Sequence, residues 1–276
     1  MQTTEVTLSH IVADLAAEGD ELYAVLKDMD TGFWTEVSSF KAWTVWDVVA
    51  HLHMADKMAL ASLQGESEFH RFMHTLGSGN LREVADKWLK QGRDHSPTGP
   101  EMLTIWRETF VALCTALGNA DPEARYTWVG PSMKAKMMAT ARLMETWAHG
   151  WEVYDLMKLP RQQHERLHHI ATIGIRTFAW TFNNRSLPVP EPQPYVELTS
   201  PGGDLWQWNE RDPANMVRGS ANDFCQVVTQ VRNVADTELE VVGDIAQAWM
   251  QIAQCFAGPP EDPPAPGTRV PAPELP

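Results

Sequence analysis

The stretch RLMETWAHGWEVYD, residues 142–155, decides how this chain is read. Its apolar residues recur at helical spacing, and the helix containing it is predicted over about residues 133–158, ending before Pro160. On a helical wheel Met138, Ala141, Arg142, Glu145, Ala148, His149, Glu152 and Leu156 fall within about 60° of Glu145. A polar stripe therefore runs along an apolar face. The opposite face carries Leu143, Trp147 and Tyr154, so the helix is expected to be buried on both sides, by a helical bundle on one and by a C-terminal domain or second subunit on the other.

A carboxylate on a buried face costs several kcal/mol unless something compensates it. One compensation is an ion pair between Arg142 and Glu145, three residues apart, beside a hydrogen-bonded core histidine. The other is a metal ion, because Glu145 and His149, four residues apart, can converge on one cation. A third ligand is available from the segment VVAHLHMADKMALASL, whose core stripe is Val45, Val48, Leu52, Ala55 and Ala59. His51 sits at the edge of that stripe and His53 points well away from it, so periodicity selects His51 as the inward histidine. A His51, Glu145, His149 metal set is plausible on spacing, and spacing alone leaves the ion-pair reading open.

Neighbouring residues carry weaker readings. Asp47, one turn before His51, either orients that imidazole or only closes a capping box with Thr44. Arg142 pairs with Glu145 or contacts an anionic ligand. Glu152 is a candidate general base, though a solvated helix-end carboxylate is the simpler expectation. Asp56 is expected in a salt bridge within the bundle. His164, His168 and His169 have metal-like spacing, but RQQHERLHH is polar all round and reads as a solvated face. Of Trp43, Trp46, Trp106, Trp128, Trp147 and Trp151, most belong to the core and one or two line the pocket. Lys134 and Lys136, near the Gly-Pro-Ser turn before the ligand helix, are candidates to attract an anionic cofactor.

The rest of the chain supplies the frame. It has 276 residues, 43% of them hydrophobic, and a formal net charge of −14. That charge argues against nucleic acid and anionic membrane surfaces as partners. No apolar run is long enough to span a bilayer, and the first ten residues lack the pattern of a secretory signal. Cys114, Cys225 and Cys255 are odd in number and far apart, and read as buried thiols in a reducing cytoplasm. Helices are predicted over about residues 8–29, 45–63, 80–93, 100–118 and 133–158, with a Gly- and polar-rich stretch near 76–80; the four long ones among them imply a four-helix bundle over residues 1–160. A single connector helix over 161–183 and the Pro-rich linker LPVPEPQPY complete residues 161–190. Residues 191–258 read as a small α+β domain: strands in YVELTS, LWQWN and TELEVVG, and helices in SANDFCQVVTQVRN and DIAQAWMQIAQCF with capping boxes Ser220–Asp223 and Asp244–Gln247. Residues 259–276, rich in proline, are expected to be a disordered tail.

The segments WTVWDVVAHL and ARLMETWAHGWEVYD, with VRGSANDFCQVVTQVRN, ELEVVGDIAQAW and QIAQCFAGPP in the C-terminal part, resemble the mycothiol-dependent maleylpyruvate isomerase-like proteins of the DinB-like superfamily. The resemblance extends to about residue 260. It implies a mainly α fold, a DinB-like four-helix bundle followed by a small α+β domain. It also implies one divalent metal, typically Zn²⁺, held by His51, Glu145 and His149. The isomerase of that family uses the thiol mycothiol to isomerise maleylpyruvate; other relatives are thiol S-transferases or metal-dependent hydrolases. A catalytic arginine is implied in the C-terminal domain, for which Arg218 and Arg232 are the candidates, beside Arg142 in the bundle. The chain departs from the family where SSFKAW precedes the first motif and where Val231 and Arg232 follow TQ in place of paired arginines.

The expectation is a cytoplasmic, monomeric or homodimeric metalloenzyme that isomerises a small electrophilic substrate, or transfers a mycothiol-like thiol onto it. A thiol-independent metal hydrolase or lyase is the alternative, and a non-catalytic metal- or small-molecule-binding protein is the third reading.

Overall fold

The structure, a computed structural model, describes residues 6–79, 81–94 and 97–269. The chain divides into two compact units, Met1–Leu156 and Met157–Pro276.

The first unit is built on four long helices: α1 (Leu8–Leu26), α2 (Val45–Gln64), α5 (Gly99–Gly118) and α6 (Ala135–Met157). Two shorter helices, α3 (Glu66–Leu76) and α4 (Leu81–Asp94), and a two-strand ribbon, β1 (Arg125–Tyr126) with β2 (Met133–Lys134), complete it. The start of α2 follows the sequence expectation. The Thr44 N–H donates to Asp47 Oδ2 at 2.9 Å and the Asp47 N–H donates to Thr44 Oγ1 at 3.2 Å, which satisfies two otherwise orphaned groups. A second box, Thr98 with Glu101, starts α5. Gly19 permits the close crossing of α1 and α5: a Cβ there would lie 2.2 Å from the Phe110 ring. The helix α3 was not anticipated. It is set off by Gly65 (φ 120°) and Gly77 (φ 85°); Phe69 and Leu76 are buried on its apolar side, and Phe72 and Met73 pack there partly buried.

In the second unit the expected single connector helix is two. Residues 161–166 are not helical, α7 spans Leu167–Arg176 and α8 spans Phe178–Asn184. They meet at Thr177, whose hydroxyl donates back to the Ile173 and Gly174 carbonyls. The sheet, ordered β4-β3-β5-β6, contains β3 (Tyr195–Thr199), β4 (Leu205–Trp208), β5 (Met216–Ser220) and β6 (Glu240–Val242). The β5 strand was not anticipated; it runs parallel to β3 and antiparallel to β6. Helices α9 (Ala221–Val228) and α10 (Asp244–Ile252) follow. Of the expected Ser220–Asp223 box, the half in which Ser220 accepts from the Asp223 N–H caps α9, and the Asp244–Gln247 box does not form. The cap of α10 is Gly243 at φ 89°, where a Cβ would lie 2.4 Å from the Ala214 carbonyl oxygen.

The expectation of disorder from residue 259 is corrected as far as residue 269. Side-chain amides bind this proline-rich backbone, which has few N–H groups of its own. Gln254 Nε2 donates to Pro259 O at 3.1 Å, Gln230 Nε2 to Glu261 O at 2.8 Å, and Asn233 Nδ2 to Pro264 O at 2.9 Å. Residues 270–276 lie outside the described residues.

Candidate metal centre

The bundle brings α2 and α6 together in antiparallel sense, since Asp56 faces Arg142 and His51 faces His149. His51 Nε2 lies 3.6 Å from Glu145 Oε2, and His149 Nε2 lies 3.4 Å from the same oxygen. The two imidazole centroids are 4.7 Å apart. One donor atom from each of the three residues lies within 4.8 Å of the others, and no other group of three His, Cys, Asp or Glu among the described residues converges so closely.

This arrangement fits a divalent cation. The two N···O separations exceed the ~2.7–3.2 Å of a good hydrogen bond. A tetrahedral zinc with ligands at about 2.0–2.1 Å would have ligand–ligand edges of about 3.3–3.4 Å, close to both. The protonation states also fit. Burial alone would push the Glu145 carboxyl up, but the His149 and His51 imidazoles and the Arg142 charge outweigh burial and hold it well below the usual carboxylate range. Burial pushes His149 down to about 4, against the upward pull of Glu145, so its ring is neutral at neutral pH. A neutral His149 ring and an ionised Glu145 carboxylate are the forms in which these groups bind a metal.

Aromatic rings close one side. Trp43 lies 5.0 Å from His51 and stacks on His149 at 5.7 Å, while Phe40 meets His149 edge-on at 5.2 Å. Trp43 also lines a cleft of about 340 Å³ with Lys41, Ala42, Asp86, Leu89 and Lys90.

Arg142 does not form the expected pair with Glu145. Its Nε donates to Asp56 Oδ1 at 2.8 Å, and the Trp106 indole donates to Asp56 Oδ2 at 2.9 Å. Both charges are withdrawn from solvent, with side chains 3% and 0% exposed. Burial pushes the Asp56 carboxyl up, and Arg142 and Trp106 oppose it. The salt bridge expected for Asp56 is therefore present, with Arg142 as its partner. The signal for that partner was faint: Asp56 and Arg142 lie 86 residues apart, on helices whose mutual register the sequence does not state.

Other expectations fare unevenly. Asp47 is occupied with Thr44 and does not orient His51, whose Nδ1 has no hydrogen-bond partner among the described residues. Glu152 is buried at 3% exposure, not a solvated helix-end group. His53 is also buried, near Trp88, and burial lowers it to about 4. In RQQHERLHH the expected solvated face is broken, because Arg161, Arg166 and His169 are buried and His168 packs on Trp206 and Trp208. Lys134 is committed to an ion pair with Glu123 at 2.7 Å. Arg218, 48% exposed, pairs with Glu197 and Glu240 across the sheet, whereas Arg232 is fully buried. The three cysteines are free thiols; Cys225 and Cys255 are buried as expected, Cys114 only partly.

A helical bundle followed by a small α+β unit, with two imidazoles and a carboxylate converging inside the bundle, defines a DinB-like helical fold with a candidate metal site. Residues 15–154 match the family model described as the mycothiol maleylpyruvate isomerase N-terminal domain, and the chain belongs to that family. It is 39% identical over 249 residues to an uncharacterized protein of Mycobacterium tuberculosis strain CDC 1551/Oshkosh, covering 90% of this chain and 96% of that one. An uncharacterized protein of strain H37Rv matches equally. Among solved structures, the mycothiol-dependent maleylpyruvate isomerase shares the fold, with a TM-score of 0.53 and 15% identity over 81% of this chain and 89% of that one. A mutant of the same enzyme gives a TM-score of 0.52 at 14% identity over the same shares. No described helix is long and apolar enough to cross a membrane.

Proposed function

We propose that the chain is a metal-dependent enzyme acting on a small electrophilic substrate with the help of a mycothiol-like thiol, as an isomerase or an S-transferase. The observation that carries this reading is the convergence of His51, Glu145 and His149. These three residues would hold one divalent cation, with zinc the best match to a two-histidine, one-carboxylate donor set. Bound there, the cation supplies the Lewis acidity that ionises a coordinated thiol or water near neutral pH. His51 and His149 contribute their Nε2 atoms and Glu145 one negative charge. The Asp56–Arg142 pair holds a positive charge one turn before Glu145 and so favours its ionised form. Phe40 and Trp43 cover the imidazoles and limit the access of bulk water.

In the isomerase scheme the thiol sulfur adds to an activated carbon–carbon double bond. The resulting single bond rotates, and the thiol is expelled as the double bond re-forms. Of the two arginines in the second unit, Arg218 remains the catalytic candidate because its guanidinium is half exposed. Arg232, wholly buried, is assigned a structural role. Arg142, committed to Asp56, supplies fixed charge and is not a substrate clamp. A compartment with a thiol pool, the cytoplasm, suits both this chemistry and three free cysteines.

The experiment is a turnover assay on a maleylpyruvate-like cis-unsaturated 2-oxo acid and on simple electrophiles, with and without mycothiol or a surrogate thiol. The proposal expects turnover only with thiol and its loss in Glu145→Ala. Thiol-independent hydrolysis of an ester or amide by the same metal site would replace it with the hydrolase reading, which the same donor set also suits.

A further inference from the structure

Metal-bound histidines are ordinarily oriented by a hydrogen bond from the second ring nitrogen to a carboxylate, a carbonyl or water. Here His51 Nδ1 and His149 Nδ1 are both buried and neither has an acceptor among the described residues. What does contact the rings is aromatic. Trp43 touches both imidazoles, at centroid distances of 5.0 and 5.7 Å, and Phe40 adds an edge contact to His149 and another to Trp43 at 5.0 Å.

The backbone that delivers these two rings is unusual. Lys41 and Ala42 are consecutive residues in the left-handed region, at φ 52° and 54°, inside a turn closed by the Trp43 N–H on Phe40 O at 2.9 Å. A turn with both central residues left-handed ordinarily takes Asn-Gly. Lys-Ala is strained there, and such strain persists only where surrounding contacts hold it. Those contacts are present: the Ser38 N–H donates to Trp43 O at 2.7 Å, and a bridge joins Val37 to Thr44. Thr44 is also the N-cap of α2, so the turn that aims Phe40 and Trp43 is anchored to the helix that carries His51.

We propose that Trp43, backed by Phe40, is a positioning residue that sets the ring planes of His51 and His149 by packing, in the role an acceptor at Nδ1 ordinarily fills. The inference rests on the metal reading of the site and adds to it the means by which two of its ligands are oriented.

The test uses the full-length chain. Zn²⁺ and Co²⁺ affinities are measured by chelator competition for the wild type, Trp43→Phe, Trp43→Leu and Phe40→Leu, with circular dichroism as the check on folding. The Co²⁺ absorption spectrum reports ligand geometry. Trp43→Leu is expected to weaken metal binding by about 10–100-fold and to change the Co²⁺ spectrum. Trp43→Phe, which keeps an aromatic face, is expected to recover most of the affinity and the wild-type spectrum. A folded Trp43→Leu with wild-type affinity and spectrum overturns the clamp while leaving the metal site standing. Should that variant fail to fold, Phe40→Leu carries the test on the same criterion, with a smaller loss expected. A wild-type protein that takes up neither cation overturns the metal reading, and the clamp with it.

Discussion

At Glu145 the opposing terms can be ranked. Burial disfavours its charge, and the two imidazoles with Arg142 more than reverse that penalty. Arg142 can act so only because Asp56 neutralises it in turn, deep in the bundle. Asp56→Ala leaves a buried guanidinium without its counter-charge, so it should cost about 3–5 kcal/mol of stability, read as a lower denaturant midpoint. A loss under about 1 kcal/mol would place the pair outside the energetics of the bundle. His149 and His53 supply a pH signature. Both are buried with pKa lowered from 6.5 to about 4, so between those values the unfolded chain binds more protons than the folded one. Stability of the metal-free protein is therefore full above about pH 6.5 and falls on acidification toward about pH 4. A denaturation series across that range checks it; a flat profile would mean that neither ring is held neutral. Zinc should raise stability at neutral pH and leave the fall on acidification at least as steep, because it excludes protons from His149 in the folded chain alone.

At the scale of elements, the site depends on where α2 begins. The Thr44–Asp47 box fixes the first turn, and His51 follows on the inner side one turn after Asp47. Thr44→Ala should cost about 1 kcal/mol in thermal stability, and it should weaken metal binding because it loosens the junction between the Trp43 turn and α2. Unchanged affinity in a measurably destabilised Thr44→Ala would separate cap from site. This level was partly legible in the sequence. The box at Thr44, the choice of His51 over His53 and the shared face of Glu145 and His149 all follow from spacing within one helix. What crossed between segments was harder to read. The Arg142–Asp56 pairing depends on how two helices are registered. The Lys41–Ala42 turn carries no glycine or asparagine to announce its left-handed backbone. Strand β5 is short and includes Arg218 and Gly219, so no alternating apolar pattern marks it; its pairing with β3 and β6 makes it a strand.

For the whole molecule, helical periodicity and the shift of composition at the Pro-rich linker predicted a helical bundle followed by a small α+β unit, and the solved structure that shares the fold agrees. Composition misled at the proline-rich end. Proline richness suggested disorder, whereas the carbonyls of Pro259, Glu261 and Pro264 are the groups that neighbouring amides bind. The central claim, that His51, Glu145 and His149 share one divalent cation, is tested most directly by metal analysis of the purified protein beside its His51→Ala and Glu145→Ala variants. The account predicts about one cation per wild-type chain and its loss from both folded variants. A wild-type chain without metal, or variants that keep full occupancy, would contradict it.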